Sequence, residues 1–445
     1  MTTETLTLEN LNITETLRYV ERGYPWEEWD LLRREAPVYW YDREDVDPFW
    51  AITRQDEILT ISKNSDVFVN TERLRIFPKA QNIYSRKFRE ELAKQFGSEE
   101  EARQVFTLSF IDMDDPQHAT YRNLTNRHFT PRALQRMEGH IAELSEKYVG
   151  EFAKILVDRV AEQGSCDFVH DLAVKLPMAA IFELLGIPRE DWDELFVHKE
   201  IEFGSFLESD LGDTPEERDA RRRAASTASR EYIDHLLERR REEGATGDDL
   251  VSVLVRSEVD GRSLTGQELH SYINLLLAGG LETTRNATTG GVLTLLEHPE
   301  ELDKLVADPS LVPSAVEEIL RWTSPVIQFA RTAVADFELR GHTIRAGESV
   351  AMWYPSANRD EAVFEDPYRF DIARTPNDHL AFGGYGAHFC VGANLARWEL
   401  RGLFRELIRL LPEMELAAPP VRQQNLHVGG YVRMMVRYRE TAPTG

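Results

Sequence analysis

The stretch Phe382-Gly-Gly-Tyr-Gly-Ala-His-Phe-Cys390-Val-Gly392 sets one cysteine in a glycine-rich loop, and the chain after it turns helical. Leu395, Trp398, Gly402, Leu403 and Leu407 recur at spacings of three and four, so Cys390 stands at the entrance of an amphipathic helix. Unpaired N–H groups and the positive end of the dipole at such an entrance both lower a thiol's pKa. Glycines at 383, 384, 386 and 392 permit conformations and close approaches that a Cβ forbids, which leaves room for a bulky flat body against the loop. Three roles are open to a cysteine so placed: a buried small hydrophobe, a nucleophile with His388 as its base, or a single thiolate ligand to a haem iron. The nucleophile suffers because residues two apart on an irregular loop seldom face each other. The haem ligand needs one sulfur, no second cysteine nearby, and further features elsewhere in the chain.

Composition narrows the field. No Gly/Ser tract, proline-rich linker or repeat divides the 445 residues, so residues 1–445 read as a single domain. A formal net charge of −25 argues against a nucleic-acid partner or an anionic membrane surface. Cys166 and Cys390 are the only cysteines, too few for a disulfide framework or a cysteine-based zinc site, which suits a reducing cytoplasmic setting. Cys166 reads as structural. The polar, acidic start of the chain and the lack of any apolar run of about 18 residues leave neither a signal peptide nor a membrane anchor visible.

In chain order, residues 15–35 read as helical, and the runs Val38–Tyr41 and Phe49–Thr53 read as strands of a small β region near 36–54. Residues 64–113 are weakly patterned, as functional lids and plain surface loops both are. Asp115-Pro-Gln-His118-Ala-Thr-Tyr-Arg122 then starts a helix on proline, with His118 and Arg122 on one face, able to clamp an anion or simply to meet solvent. Helical periodicity dominates from there to residue 300, with capping boxes at Thr214 and Thr265. The helix opening at Thr265 is apolar on most faces, hence central and buried, yet it holds Gly279-Gly280 followed by Glu282 and Thr283. Two glycines inside a helix cost about 1 kcal/mol each, so they signal close approach of another body or a local distortion. A carboxylate and a hydroxyl just beyond them suit a proton relay, or a threonine bonded back to its own helix. Glu318 and Arg321 lie at i,i+3, with Arg369 a candidate third partner. Strand-like runs follow over 331–353. The chain is mainly α with small β-sheets.

Taken together, these residues resemble the cytochrome P450 family, and the resemblance spans the whole chain. Gly386-x-His388-x-Cys390-x-Gly392 resembles its haem-ligand loop, Gly279-Gly-Leu-Glu282-Thr283 its oxygen-activating helix, Glu318-x-x-Arg321 with Arg369 its structural ion-pair triad, and His118 with Arg122 its propionate-binding helix. Phe382 lies eight residues before Cys390, where many bacterial members have seven. That longer loop resembles the bacterial subgroup that hydroxylates sterol side chains and methyl-branched lipids.

The resemblance implies a long central helix lying over haem b (heme b, iron protoporphyrin IX), with Cys390 as the iron ligand. It implies that His118, Arg122, Arg331 and His388 hold the propionates, that Phe382 and Gly279 lie against the macrocycle, and that Glu282 and Thr283 deliver protons to bound dioxygen. It implies a monooxygenase that hydroxylates a hydrophobic small molecule such as a terpenoid, steroid or branched lipid. Leu277, Ala278, Val326, Ile327, Phe329 and Val428 are the implied pocket walls, and Gln328 or His427 the orienting polar contact. With no flavin or iron–sulfur pattern in the chain, electrons come from a separate ferredoxin. Arg397, Arg401, Arg405 and Arg409 form a basic stripe that suits such a docking partner, or pairs locally with Glu399 and Glu406. Two rival outcomes are a peroxide-driven oxidation, dehydration or coupling on the same fold, and a haem sensor or carrier without turnover.

Overall fold

The computed structural model describes residues 5–79, 109–202 and 208–439, with Glu90 and Lys94 besides. The weakly patterned 64–113 stretch therefore lies partly outside the described residues. The chain divides into two compact units assembled from alternating segments: residues 1–119, 317–390 and 422–430 in one, 120–316, 391–421 and 431–445 in the other.

The first unit is built on a five-stranded sheet in the order Val38–Tyr41, Phe49–Ile52, Ser349–Trp353, Gln328–Ala333, Phe68–Val69. The two β regions that sequence separates by some three hundred residues meet here, because Phe49–Ile52 pairs in parallel with Ser349–Trp353. Every residue of Ser349–Trp353 is buried, as a strand covered on both faces requires. Ala351 and Trp353 face a core of Trp29, Leu32, Phe49 and Ile327, while Val350 and Met352 face a second of Val38, Ile52, Phe68 and Leu380. The expected helix over 15–35 is two helices, Thr16–Glu21 and Trp26–Glu35, broken where Gly23 takes a positive φ ahead of Pro25.

The second unit is helical, and Gly266–Glu297 is its longest helix at 32 residues. Both expected capping boxes form, Thr214 with Glu217 and Thr265 with Glu268. Gly279 and Gly280 leave the helix unbroken, and of the two alternatives Gly280 shows close approach: a Cβ there would stand 3.3 Å from Ile181 of helix Lys175–Leu185. Glu138–Gln163 packs on Ala393–Leu407 in the same way, where a Cβ on Gly402 would stand 2.9 Å from Ser145 Oγ. Among the described residues no helix is long and apolar enough to cross a membrane.

Candidate active site

In the first unit the loop 382–390 closes on itself, with Cys390 N–H donating to Phe382 O at 3.0 Å and Phe389 N–H to Gly386 O at 3.0 Å. Its extra length is absorbed by two left-handed residues, Gly383 at φ 93° and Tyr385 at φ 57°, with Tyr385 stacked on Phe389. The glycines do not all leave space for a ligand. A Cβ on Gly386 would lie 1.8 Å from the carbonyl oxygen of Ser62, and one on Gly384 would lie 2.2 Å from Ser62 Oγ, so both admit the end of helix Gln55–Lys63. Cys390 is exposed and stands two residues before Gly392, the N-cap of helix Ala393–Leu407. Cys166 is buried in a short strand, and burial pushes its thiol up to about 12, the inert state expected of it.

Beside the loop, polar and cationic side chains lie close to one another. The rings of His118 and His388 lie 3.9 Å apart, centroid to centroid. His118 is buried and its Nδ1 faces Asp115 at 3.3 Å. His388 Nδ1 meets the Asn70 amide nitrogen at 3.1 Å; with that amide donating, the ring carries its proton on Nε2. Asn70 and Thr71 in turn donate their backbone N–H groups to Asp114, at 2.7 and 3.1 Å. Arg331 is buried, its charged form disfavoured by desolvation and supported by Tyr354 and Asp114. It makes no ion pair among the described residues, only a bond to the Ala330 carbonyl at 2.7 Å. A buried guanidinium without a carboxylate seeks an anion. Arg122 sits one turn beyond His118 on helix Gln117–Asn123, as expected. This donor set fits the two carboxylates of a haem.

In the second unit, helix Gly266–Glu297 carries the glycine pair and the acid and alcohol that follow it. Gly279 is exposed in the middle of a mostly buried helix, and a Cβ there would meet nothing within 4 Å, so this face can take a flat body. Thr283 Oγ1 donates to the Gly279 carbonyl at 2.7 Å, the back-bonded state the sequence left open. With its proton committed, the hydroxyl offers only its lone pairs outward. Glu282 is half-buried and lines a small cavity with Arg285.

Four expectations are corrected. The third member of the Glu318–Arg321 cluster is Arg374, at 3.2 Å from Glu318, whereas the Arg369 side chain is exposed and meets Asp371 at 3.8 Å. Arg369 contributes only its carbonyl, which accepts from Arg321 and Arg374, because the turn 366–369 points its side chain outward. Leu277 and Ile327 are fully buried in protein cores; the open helix side carries Leu275, Ala278, Gly279 and Glu282, as the helical period dictates. Val326 and Val428 pair as a bridge, with Phe329 half-buried near them. Gln328 and His427 are spent on protein. Gln328 bonds both polar groups of Ile76, while His427 donates from Nδ1 to Gln328 O at 2.8 Å and accepts from Arg75 at 3.0 Å. Burial and Arg75 hold the His427 imidazole down to about 3, hence neutral. Glu399 is buried, and desolvation pushes its carboxyl well up, so it is no surface partner for the basic stripe; Arg409 pairs with Glu406 at 3.1 Å.

The polar residue that sequence reasoning missed is Arg75. It is half-buried, its guanidinium is 5.9 Å from the Phe329 ring centroid, and it makes no ion pair among the described residues. Nothing in its local pattern, Arg73-Leu-Arg75, sets it apart; Arg73 is bound to the Asp47 and Pro48 carbonyls instead.

Residues 205–426 match the cytochrome P450 family. A methyl-branched lipid omega-hydroxylase of Mycobacterium tuberculosis is 38% identical over 414 residues, covering 92% of this chain and 89% of that protein. A steroid C26-monooxygenase of the same organism is 34% identical over 441 residues, covering 97% and 93%. A Mycobacterium marinum cytochrome P450 solved in complex with pseudoionone superposes with a TM-score of 0.82 at 31% identity, covering 98% of this chain and all of the other.

Proposed function

The chain belongs to the cytochrome P450 family of haem-thiolate monooxygenases, and on that premise we propose that Cys390 would hold the haem iron through its thiolate and that the substrate is a hydrophobic lipid of methyl-branched or steroid type. One observation carries the assignment of the site: His118 lies against His388 of the loop that ends in Cys390, and Asp114, which holds Asn70 against His388, also supports the charge of the buried Arg331, a guanidinium with no ion pair among the described residues. When bound, the haem supplies the activation of dioxygen and the insertion of one oxygen atom into a C–H bond. His118, Arg122, Arg331 and His388 hold its carboxylates, and the backbone N–H groups of the loop favour the sulfur as thiolate. Thr283 accepts a hydrogen bond at the oxygen site, and Glu282 passes protons to it. Ala278, Val326, Phe329 and Val428 give the guest an apolar wall, and Arg75 offers a cation to a polar end remote from the carbon that reacts. Electrons come from a ferredoxin.

Replacing Cys390 with Ser tests the ligand. The expected result is loss of the thiolate signature of the ferrous carbon-monoxide spectrum, and a spectrum unchanged from wild type overturns the assignment. Thr283→Ala is expected to raise peroxide release at the expense of product several-fold, and coupling that stays intact overturns the relay. A panel of branched fatty acids, sterols and terpenoids, scored by the spin-state change on binding, identifies the guest.

A further inference from the structure

Behind Glu282 lies a cavity of about 10 Å³, lined by Val174, Phe196, Lys199, Glu200, Leu281, Glu282 and Arg285. That volume suits a single water, and such a water needs two to four polar partners. Glu200 provides one: its residue is 7% exposed, and its Oε1 has no hydrogen-bond partner among the described residues. Its other oxygen, Oε2, lies 3.5 Å from Nδ1 of His170. His170 sits on a π-helical turn, Val169–Ala173, a geometry that widens the helix by one residue and turns this imidazole toward Glu200. Its side chain is 24% exposed, so it meets both solvent and the buried carboxylate.

We propose that His170 and Glu200 form the proton inlet of this enzyme, delivering protons from solvent through one water in the cavity to Glu282. The inference rests on the relay reading of Glu282 and Thr283. In each passage the imidazolium gives its proton to Glu200, the cavity water carries a proton across to Glu282, and the neutral imidazole takes another from bulk. Nothing is oxidised or reduced, and the net result is one proton moved inward.

The surrounding charges favour this direction. Burial lowers the His170 pKa, but Glu200 and, behind it, Asp167 outweigh that and raise it above the ordinary imidazole value, with Arg285 acting weakly against them. Asp167 also faces Arg433 at 3.9 Å and accepts backbone N–H groups from Val169 and Met434. Lys199, from helix Trp192–Glu202, spends its ammonium on Glu202 at 2.8 Å and Asn274 at 2.7 Å. Arg285 is buried beside the cavity, where desolvation disfavours its charge and Glu282, then Glu200, support it. Among these groups His170 is the one whose ordinary titration range lies near neutral pH.

The test compares wild type with His170→Phe, Glu200→Gln and Thr283→Ala, using the haem-loaded protein with a surrogate ferredoxin system. Three quantities are read: the fraction of electrons lost to peroxide against pH, the solvent isotope effect on turnover, and the His170 imidazole titration by NMR. Wild type is expected to titrate above free imidazole, and Glu200→Gln to bring that value down by about one unit or more. Coupled turnover in Glu200→Gln should then fail at correspondingly lower pH, and His170→Phe should raise peroxide release at least two-fold with a larger solvent isotope effect. If Thr283→Ala uncouples while the two inlet variants keep wild-type coupling across pH, the inlet is wrong and the relay stands. If Thr283→Ala does not uncouple, the relay fails and the inlet falls with it.

Discussion

Glu318 is fully buried and accepts from Arg321 through two bonds of 2.8 Å, from Arg374, from the Asn377 amide at 3.1 Å and from the Asp371 backbone at 2.9 Å. Removing one cation from such a cluster leaves carboxylate charge that is only partly compensated, so Arg374→Ala should cost about 2–3 kcal/mol by chemical denaturation. Arg369→Ala, at an exposed side chain, should cost less than about 0.5 kcal/mol. Equal losses would overturn the assignment of the third partner. At Glu268, the hydrogen bonds from Arg262 come first, with those from Tyr121 and Thr265, and they hold its carboxyl down to about 2 against the burial that would raise it. A depressed carboxyl stabilises the fold above its unfolded value of about 4.3, and that contribution fades as the pH falls toward 2. Glu268→Gln should therefore lower the melting temperature at pH 7 by an amount that shrinks steadily below pH 4; a gap independent of pH would refute the ionised state. Arg75 belongs to the same scale. If it anchors a guest, Arg75→Gln should weaken binding of a branched fatty acid at least five-fold relative to its methyl ester, as read from the spin-state shift.

Two elements set glycines to opposite uses. In the loop 382–390, Gly386 admits the Ser62 carbonyl, so Gly386→Ala forces the loop away from helix Gln55–Lys63 and should abolish haem retention, measured as the Soret-to-protein absorbance ratio. In helix Gly266–Glu297, a Cβ on Gly279 meets no protein atom, so Gly279→Ala should hold or raise fold stability by up to about 1 kcal/mol while altering the haem spectrum. The glycine pattern was legible in the sequence, but which glycine faces protein and which an open surface was not. That depends on what the tertiary fold brings within reach of each. The helix shows a similar limit: its caps and apolar faces were readable, yet the side opposite Leu277 is the open one. A helix apolar nearly all round does not declare which side another body covers.

At the scale of the molecule, a net charge of −25 surrounds a basic stripe on helix Ala393–Leu407 and just beyond it. Arg397 and Arg401 are half-buried, while Arg405 and Arg409 are exposed, so the outer pair is the part an acidic ferredoxin would meet first. Reversing both, Arg405→Glu with Arg409→Glu, should slow reduction by the ferredoxin about ten-fold at low salt and flatten its salt dependence. Unchanged rates would exclude this surface. The two compact units alternate along the chain, so no linker or shift in composition marks where one gives way to the other.

The sequence by itself determined the family, the thiolate loop, the acid–alcohol pair and the caps of the long helix, because each is a short-range pattern whose chemistry depends on residues a few positions apart. Only the tertiary structure decided that Arg374 completes the Glu318 cluster, that Gln328 and His427 are already spent, and that His170 and Glu200 stand behind Glu282. Those are meetings of segments tens to hundreds of residues apart, fixed by which buried polar groups must find partners, and no local pattern records them.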